Sequence, residues 1–185
     1  MSRGCGRIQR AIVDMIQAEP HGAWTTTHLC AHIYDLGVIN KTNRVAVTRA
    51  LRQMKLPPLW FARRVDKPGK GYVLYNAADL ESTLRRDFLS RRWRRKLDFE
   101  EWKQEYSHYA ERAREDVEAT LRYHNASPIE RLDIDIDKLR ELIGLLRSAG
   151  TDGTSAYAAK LAMRYGELIE QREALLKAET RSPQS

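Results

Sequence analysis

Apolar residues in the first 76 positions fall first at helical spacing and then at alternating spacing. Ile8, Ile12, Met15 and Ile16 share one helical face, which predicts a helix over Arg7–Ala18 that stops at Pro20-His21-Gly22. Trp24-Thr25 suits a very short strand. One of Thr25, Thr26 or Thr27 then caps a second helix running to about Leu36, with Leu29, Ile33 and Leu36 on its apolar side. After a turn at Gly37, Asn40 or Thr42 caps a third helix through Met54, whose inward face is Val47, Ala50, Leu51 and Met54. Pro57-Pro58 stops it. The runs LWFARRV and YVLYN are rich in aromatic and β-branched residues and flank DKPGKG, which signals a hairpin.

Beyond the hairpin, the stretch from Ala78 to Asn125 has no proline or glycine and reads as one long helix, or two with a break near Leu97-Asp98. Leu80, Leu84 and Phe88 stripe its first part. Phe99, Trp102, Tyr106, Tyr109, Ala113 and Val117 stripe its second. After Asn125-Ala126-Ser127-Pro128, the residues Leu132, Ile136, Leu139, Ile143 and Leu146 alternate spacings of four and three, the rhythm of a coiled coil. Gly150-Thr151-Asp152-Gly153 makes a loop, and Leu161, Tyr165, Leu168, Leu175 and Leu176 mark a last helix that folds back as a helical hairpin. The expected class is mainly α. Its expected parts are an N-terminal domain over 1–77, a long basic-then-acidic connecting helix over 78–125, a helical hairpin over 129–179 and a disordered tail over 180–185.

The element order helix, strand, helix, turn, helix, hairpin resembles that of the winged helix-turn-helix family of bacterial and phage DNA-binding proteins. The resemblance covers Arg3 to Asn76 and rests on that order together with NKTNRVAVTRALRQM, which looks like a recognition helix. It implies three helices plus a β-hairpin wing, and sequence-specific binding of double-stranded DNA in transcriptional control. One departure is Leu56-Pro57-Pro58 between helix and hairpin, where many members carry a glycine.

Charge sharpens this picture. The chain of 185 residues has a net charge of +7. Met1 to Leu97 holds 19 Lys/Arg against 7 Asp/Glu, whereas Asp98 to Ser185 holds 13 against 18. Polyanion binding therefore belongs to the first half. In the third helix, Lys41, Thr42, Asn43 and Arg44 lie at the end that approaches bases, followed by Thr48, Arg49 and Arg52. Arginine offers guanine two hydrogen bonds and asparagine does the same for adenine, and Arg44 and Thr48, four apart, rank first. Val45 either packs inward or touches a thymine methyl. In the wing, Arg63, Arg64, Lys67 and Lys70 suit phosphate contacts, which set affinity and salt dependence; Tyr72 and Tyr75 suit the core.

The densest basic run is Arg85, Arg86, Arg91, Arg92, Arg94, Arg95 and Lys96, with Trp93 among them. Arg91, Arg92, Arg94 and Arg95 are candidate DNA-backbone contacts or, alternatively, the run holds RNA or pairs with carboxylates such as Glu100, Glu101 and Glu105. His28 and His32 lie four apart without a third ligand, and Asp133, Asp135 and Asp137 suit a helix start better than a metal site. No metal, cofactor or enzymatic signature is expected, since no Walker loop, dinucleotide fingerprint, nucleophile elbow or HExxH occurs. Cys5 and Cys30 are too few for a disulfide framework, and no apolar run approaches the roughly 20 residues of a membrane span. These features point to a cytoplasmic chain with no membrane partner. Residues 98–179 are expected to bind a second copy, giving a homodimer, or a protein partner. Two further functions fit the same pattern: a DNA-binding subunit for phage or plasmid replication, partition or packaging, and a winged-helix adaptor that binds only protein.

Overall fold

The computed structural model describes residues 6–34, 39–65, 71–91, 96–148 and 155–181. Among them are eight helices and a small three-stranded antiparallel sheet. The chain divides into two compact units, Met1–Leu121 and Arg122–Ser185.

The first unit begins with α1 (Arg7–Ala18), β1 (Ala23–Thr25), α2 (Thr26–Tyr34) and α3 (Lys41–Gln53). Their ends follow local chemistry. Thr25 caps α2 by accepting from the His28 backbone N–H at 3.2 Å, and Asn40 caps α3 by accepting from that of Asn43 at 2.8 Å. After α3 come β2 (Trp60–Arg64) and β3 (Tyr72–Asn76), with strand order β1-β3-β2 and registers that pair Trp24 with Leu74 and Ala62 with Leu74. The turn entering β2 places Leu59 at φ 67°, so the left-handed conformation that favours glycine falls on a leucine just after Pro58.

Strand residues alternate between two faces, and each face of this sheet has its own core. On one, Trp24 stacks on Trp60 (centroids 5.7 Å apart) and joins Leu74, Ile12, Leu29, Val47 and Leu51. On the other, Ala23, Val73, Tyr75 and Ala77 pack against Leu89 of α4 (Leu80–Ser90). Ser82 fixes α4 there: its buried hydroxyl accepts from the Asn76 N–H at 2.8 Å and donates to the Gly22 carbonyl at 2.6 Å. The domain boundary expected after residue 77 therefore falls inside the first unit, because α4 closes the sheet's second face.

The stretch 78–125, expected as one long helix or as two with a break near Leu97-Asp98, holds three helices: α4, α5 (Phe99–Glu105), which starts just past that expected break, and α6 (His108–Asn125). Asp98 and Glu101 form a capping box that starts α5 afresh, and the helix ends at Tyr106. The break allows Phe88, Phe99, Tyr106 and Tyr109 to gather around Trp102, which is fully buried.

In the second unit, α7 (Pro128–Ser148) and α8 (Ser155–Arg181) pack on each other. Ser127 and Glu130 cap α7 reciprocally. Asp133 pairs with Arg172, and Arg140 donates to the Tyr165 hydroxyl at 3.3 Å. A step of seven along α7 thus meets a step of seven backwards along α8, which makes the pair antiparallel. Of the expected stripe on α7, Ile136 is buried while Leu132, Leu139, Ile143 and Leu146 are half-exposed; on α8 only Leu168 among the described apolar residues is buried. The helix continues through Thr180 and Arg181, which were expected in the tail; residues 182–185 lie outside the described ones.

Candidate nucleic-acid interface

α3 contains no Asp or Glu. Its apolar positions Val47, Ala50 and Leu51 are buried against α1, α2 and the sheet, which fixes the direction of the opposite face. That face carries Lys41, Thr42, Arg49 and Arg52, all exposed, with Val45 among them at 48% exposure. An open depression of about 590 Å³ runs along it, lined by Lys41, Arg44, Val45, Thr48, Arg49 and Arg52.

Arg44 and Thr48, which ranked first in the sequence, are the more recessed members. Both are half-buried, and Asn43 is too. The Nε of Arg44 is sealed from solvent, and the guanidinium charge reaches the buried thiol of Cys30 in α2. Burial pushes that thiol above its ordinary pKa, and Arg44 pulls part of the way back. Arg49 and Arg52, which ranked lower, are the side chains the helix presents to solvent.

A basic contributor missed in the sequence is Arg7. With Gly6, Gln9, Tyr34, Arg49 and Gln53 it borders a second depression of about 550 Å³ beside the N-terminus of α1. Arg49 lines both depressions, and the second is also lined by the apolar Ile8, Ile33, Ala46 and Ala50. The signal in the sequence was the basic opening of the chain, with Arg3, Arg7 and Arg10.

On β2, an edge strand, Arg63 and Arg64 are exposed, as is Phe61 at 49%. Tyr75 is buried and Tyr72 packs against the first core, so neither tyrosine is presented to a ligand. Lys67 and Lys70 lie outside the described residues, as do Arg92, Arg94 and Arg95.

Of the described arginines of the dense basic run, Arg86 is buried, Arg85 half-buried and Arg91 exposed, and each has a partner within the fold. Arg85 pairs with Glu81 at 3.2 Å and lies over the Phe99 ring. Arg86 is buried, bonded to Asp87 at 3.1 Å and to Asp116 of α6 at 2.9 Å, and sits over Tyr75. Burial works against its charge, but the hydrogen bonds to Asp87 and Asp116 more than compensate and hold it protonated. Arg91, a candidate DNA contact, donates to the Tyr109 hydroxyl at 2.5 Å. The carboxylate partners of Arg85 and Arg86 are thus Glu81, Asp87 and Asp116. Glu100 and Glu101, expected in that role, pair with Lys103 and cap α5.

Among the described residues, no three His, Cys, Asp or Glu side chains come together to hold a metal ion, and no helix is long and apolar enough to cross a membrane. Asp133, Asp135 and Asp137 engage Arg172, Tyr123 and Arg140 separately. No protein-family model, curated protein or solved structure matches the chain.

Proposed function

We propose that the first unit carries a winged helix-turn-helix that binds double-stranded DNA sequence-specifically, with α3 in the major groove and the β2–β3 hairpin against the backbone, and that the protein is a transcriptional regulator. The observation that carries the reading is α3 itself. It is a helix without carboxylates, anchored by Val47, Ala50 and Leu51, that turns Lys41, Arg49, Arg52 and an exposed Val45 outward. A helix fits the major groove, where arginine reads guanine and an aliphatic group reads the thymine methyl. Arg63 and Arg64 supply phosphate contacts of the kind that set affinity rather than sequence choice.

Selection of bound sequences from random duplex DNA at fixed salt tests this directly. Enrichment of a motif that Arg49→Ala and Arg52→Ala weaken or relax is the expected result. Absence of enrichment, with those variants indistinguishable from the parent, overturns the reading in favour of a protein-binding adaptor. Protection of an operator beside a promoter supports regulation, and protection confined to an origin or packaging site overturns that part.

A further inference from the structure

The two edges of the sheet are finished differently. β1 forms one edge, and Ala23, Trp24 and Thr25 are all buried. β2 forms the other, where Phe61, Arg63 and Arg64 are exposed and only Trp60 is buried. The Val65 N–H donates to the Gly71 carbonyl at 3.0 Å, and the Ala77 N–H to the Leu59 carbonyl at 2.8 Å. Antiparallel neighbours exchange such bonds at every second residue, so Phe61 and Arg63 also direct their backbone groups at β3. Those of Ala62 and Arg64 point the other way, out of the sheet, together with the Trp60 carbonyl. The Trp60 N–H is taken by the Pro57 carbonyl at 3.1 Å. Among the described residues, no strand pairs with this outer row.

Side chains give this edge its chemistry. Phe61 and Arg63 stand on one face of the strand, Ala62 and Arg64 on the other. Phe61 leaves 49% of its surface in solvent although its ring lies 6.4 Å from that of Tyr75. The strand has two arginines and no carboxylate. Charge on an edge strand keeps it from joining a copy of itself, and two arginines suffice for that. They do not account for an exposed phenylalanine beside them.

We propose that an extended acidic segment of another protein adds to β2 as a fourth strand. Three features define this occupant. The outer row alternates donors and acceptors, which a polypeptide strand matches; a DNA backbone offers acceptors to the two N–H groups and no donor to the carbonyls of Trp60, Ala62 and Arg64. Arg63 and Arg64 take carboxylates, whereas a second β2 would bring four guanidinium groups together. Phe61 takes an apolar side chain. Antiparallel addition, the commoner and slightly stronger arrangement, sets the order. From its N-terminus the segment places two acidic residues opposite Arg64 and Arg63, any residue but proline opposite Ala62, and an apolar residue opposite Phe61. Main-chain bonds supply the affinity and side chains the specificity. The inference does not rest on DNA binding; where both hold, segment and DNA backbone share Arg63 and Arg64 and exclude each other there.

The probe is a synthetic hexapeptide with blocked ends, Thr-Glu-Glu-Thr-Phe-Thr, added to the full chain while amide hydrogen exchange is followed by NMR. In the free chain, the Ala62 and Arg64 amides are expected to exchange fast and those of Phe61 and Arg63 slowly. Saturating peptide is expected to slow Ala62 and Arg64 by about tenfold. Phe61→Ala should weaken binding about two- to fivefold. Arg63→Glu with Arg64→Glu, both at exposed positions, should abolish the slowing with circular dichroism unchanged. The same peptide N-methylated at the residues opposite Arg64 and Ala62 keeps its charge, loses the ladder and should not protect either amide. Protection of Ala62 and Arg64 in the free chain overturns the proposal, as does no slowing at about 1 mM peptide. An N-methylated peptide that binds as well as its parent also overturns it, leaving charge attraction alone. Selection of duplex DNA is read separately, so a chain that enriches no motif yet shows the slowing removes only the DNA reading.

Discussion

The two units spend similar numbers of helical residues very differently. The first holds three separate apolar clusters, two on the faces of one small sheet and one around Trp102. The second buries Ile136 and Leu168 and leaves its other described leucines partly or fully in water. Charge divides along the same line. Met1 to Leu121 carries 22 Lys/Arg against 15 Asp/Glu, while the second unit is neutral. The acidity of the chain's second half lies wholly in positions 98–121, with 3 Lys/Arg against 8 Asp/Glu. Asp116, from that stretch, neutralises Arg86. Helices alone therefore do not make a self-sufficient body; a sheet with both faces covered comes much closer to one.

The sharpest way to break the contrast is at Arg86. Arg86→Ala strands the buried Asp87, and removing one partner of a buried pair costs about 3–5 kcal/mol. All four tryptophans lie in the first unit, so their fluorescence during urea unfolding follows that unit alone; a loss below about 1 kcal/mol would show that the pair is superficial. Glycine gives opposite signs in the two units. A Cβ on Gly22 would meet the Trp24 ring at 2.2 Å, so Gly22→Ala is expected to destabilise the first unit by about 1–3 kcal/mol.

On the proposed DNA face, Arg49→Ala and Arg52→Ala are each expected to cost about 1–3 kcal/mol of specific binding. Arg63→Ala or Arg64→Ala should weaken all sequences alike and flatten the salt dependence by about one unit. Titrations at several salt concentrations separate the two behaviours, and equal loss of selectivity from both pairs would refute the division between helix and wing.

In the second unit, nothing lies within 4 Å of a Cβ built on Gly166, so Gly166→Ala is expected to stabilise the hairpin by about 0.5–1 kcal/mol. Far-UV circular dichroism against temperature checks this; a loss of helicity would sink it. The smallest effect is at Glu130, whose carboxylate accepts from the backbone and hydroxyl side of Ser127 and is held below its ordinary pKa. Its contribution is complete above the ordinary glutamate value and disappears as the pH falls through the lower folded value. Glu130→Gln should remove that acid-side loss of helicity, and an unchanged profile would assign the loss elsewhere.

Legibility followed the range of the interaction. α1, α3 and the hairpin strands were readable because their signals are local: helical spacing from Ile8 to Ile16, Asn40 before α3, and prolines after it. The break between α5 and α6 was not, because no glycine or proline marks Tyr106-Ser107; the turn there is set by the aromatic cluster around Trp102. The polar positions of α3 were readable from its apolar spacing, but their order of exposure was not. Whether Arg44 or Arg49 stands in solvent depends on where α2 lies, and with it Cys30. The burial of Arg86 and the bond from Arg91 likewise rest on Asp116 and Tyr109, 30 and 18 positions away.

Cys30 has a use of its own. Thiol reagents attack the thiolate, and this thiol is both fully buried and shifted away from ionisation. The second unit contains no cysteine, so in a Cys5→Ser background every labelling event records one opening of the α2–α3 core and nothing else. The native chain thereby carries a built-in clock for the breathing of its first unit, and a DNA duplex seated on α3 would be expected to slow it.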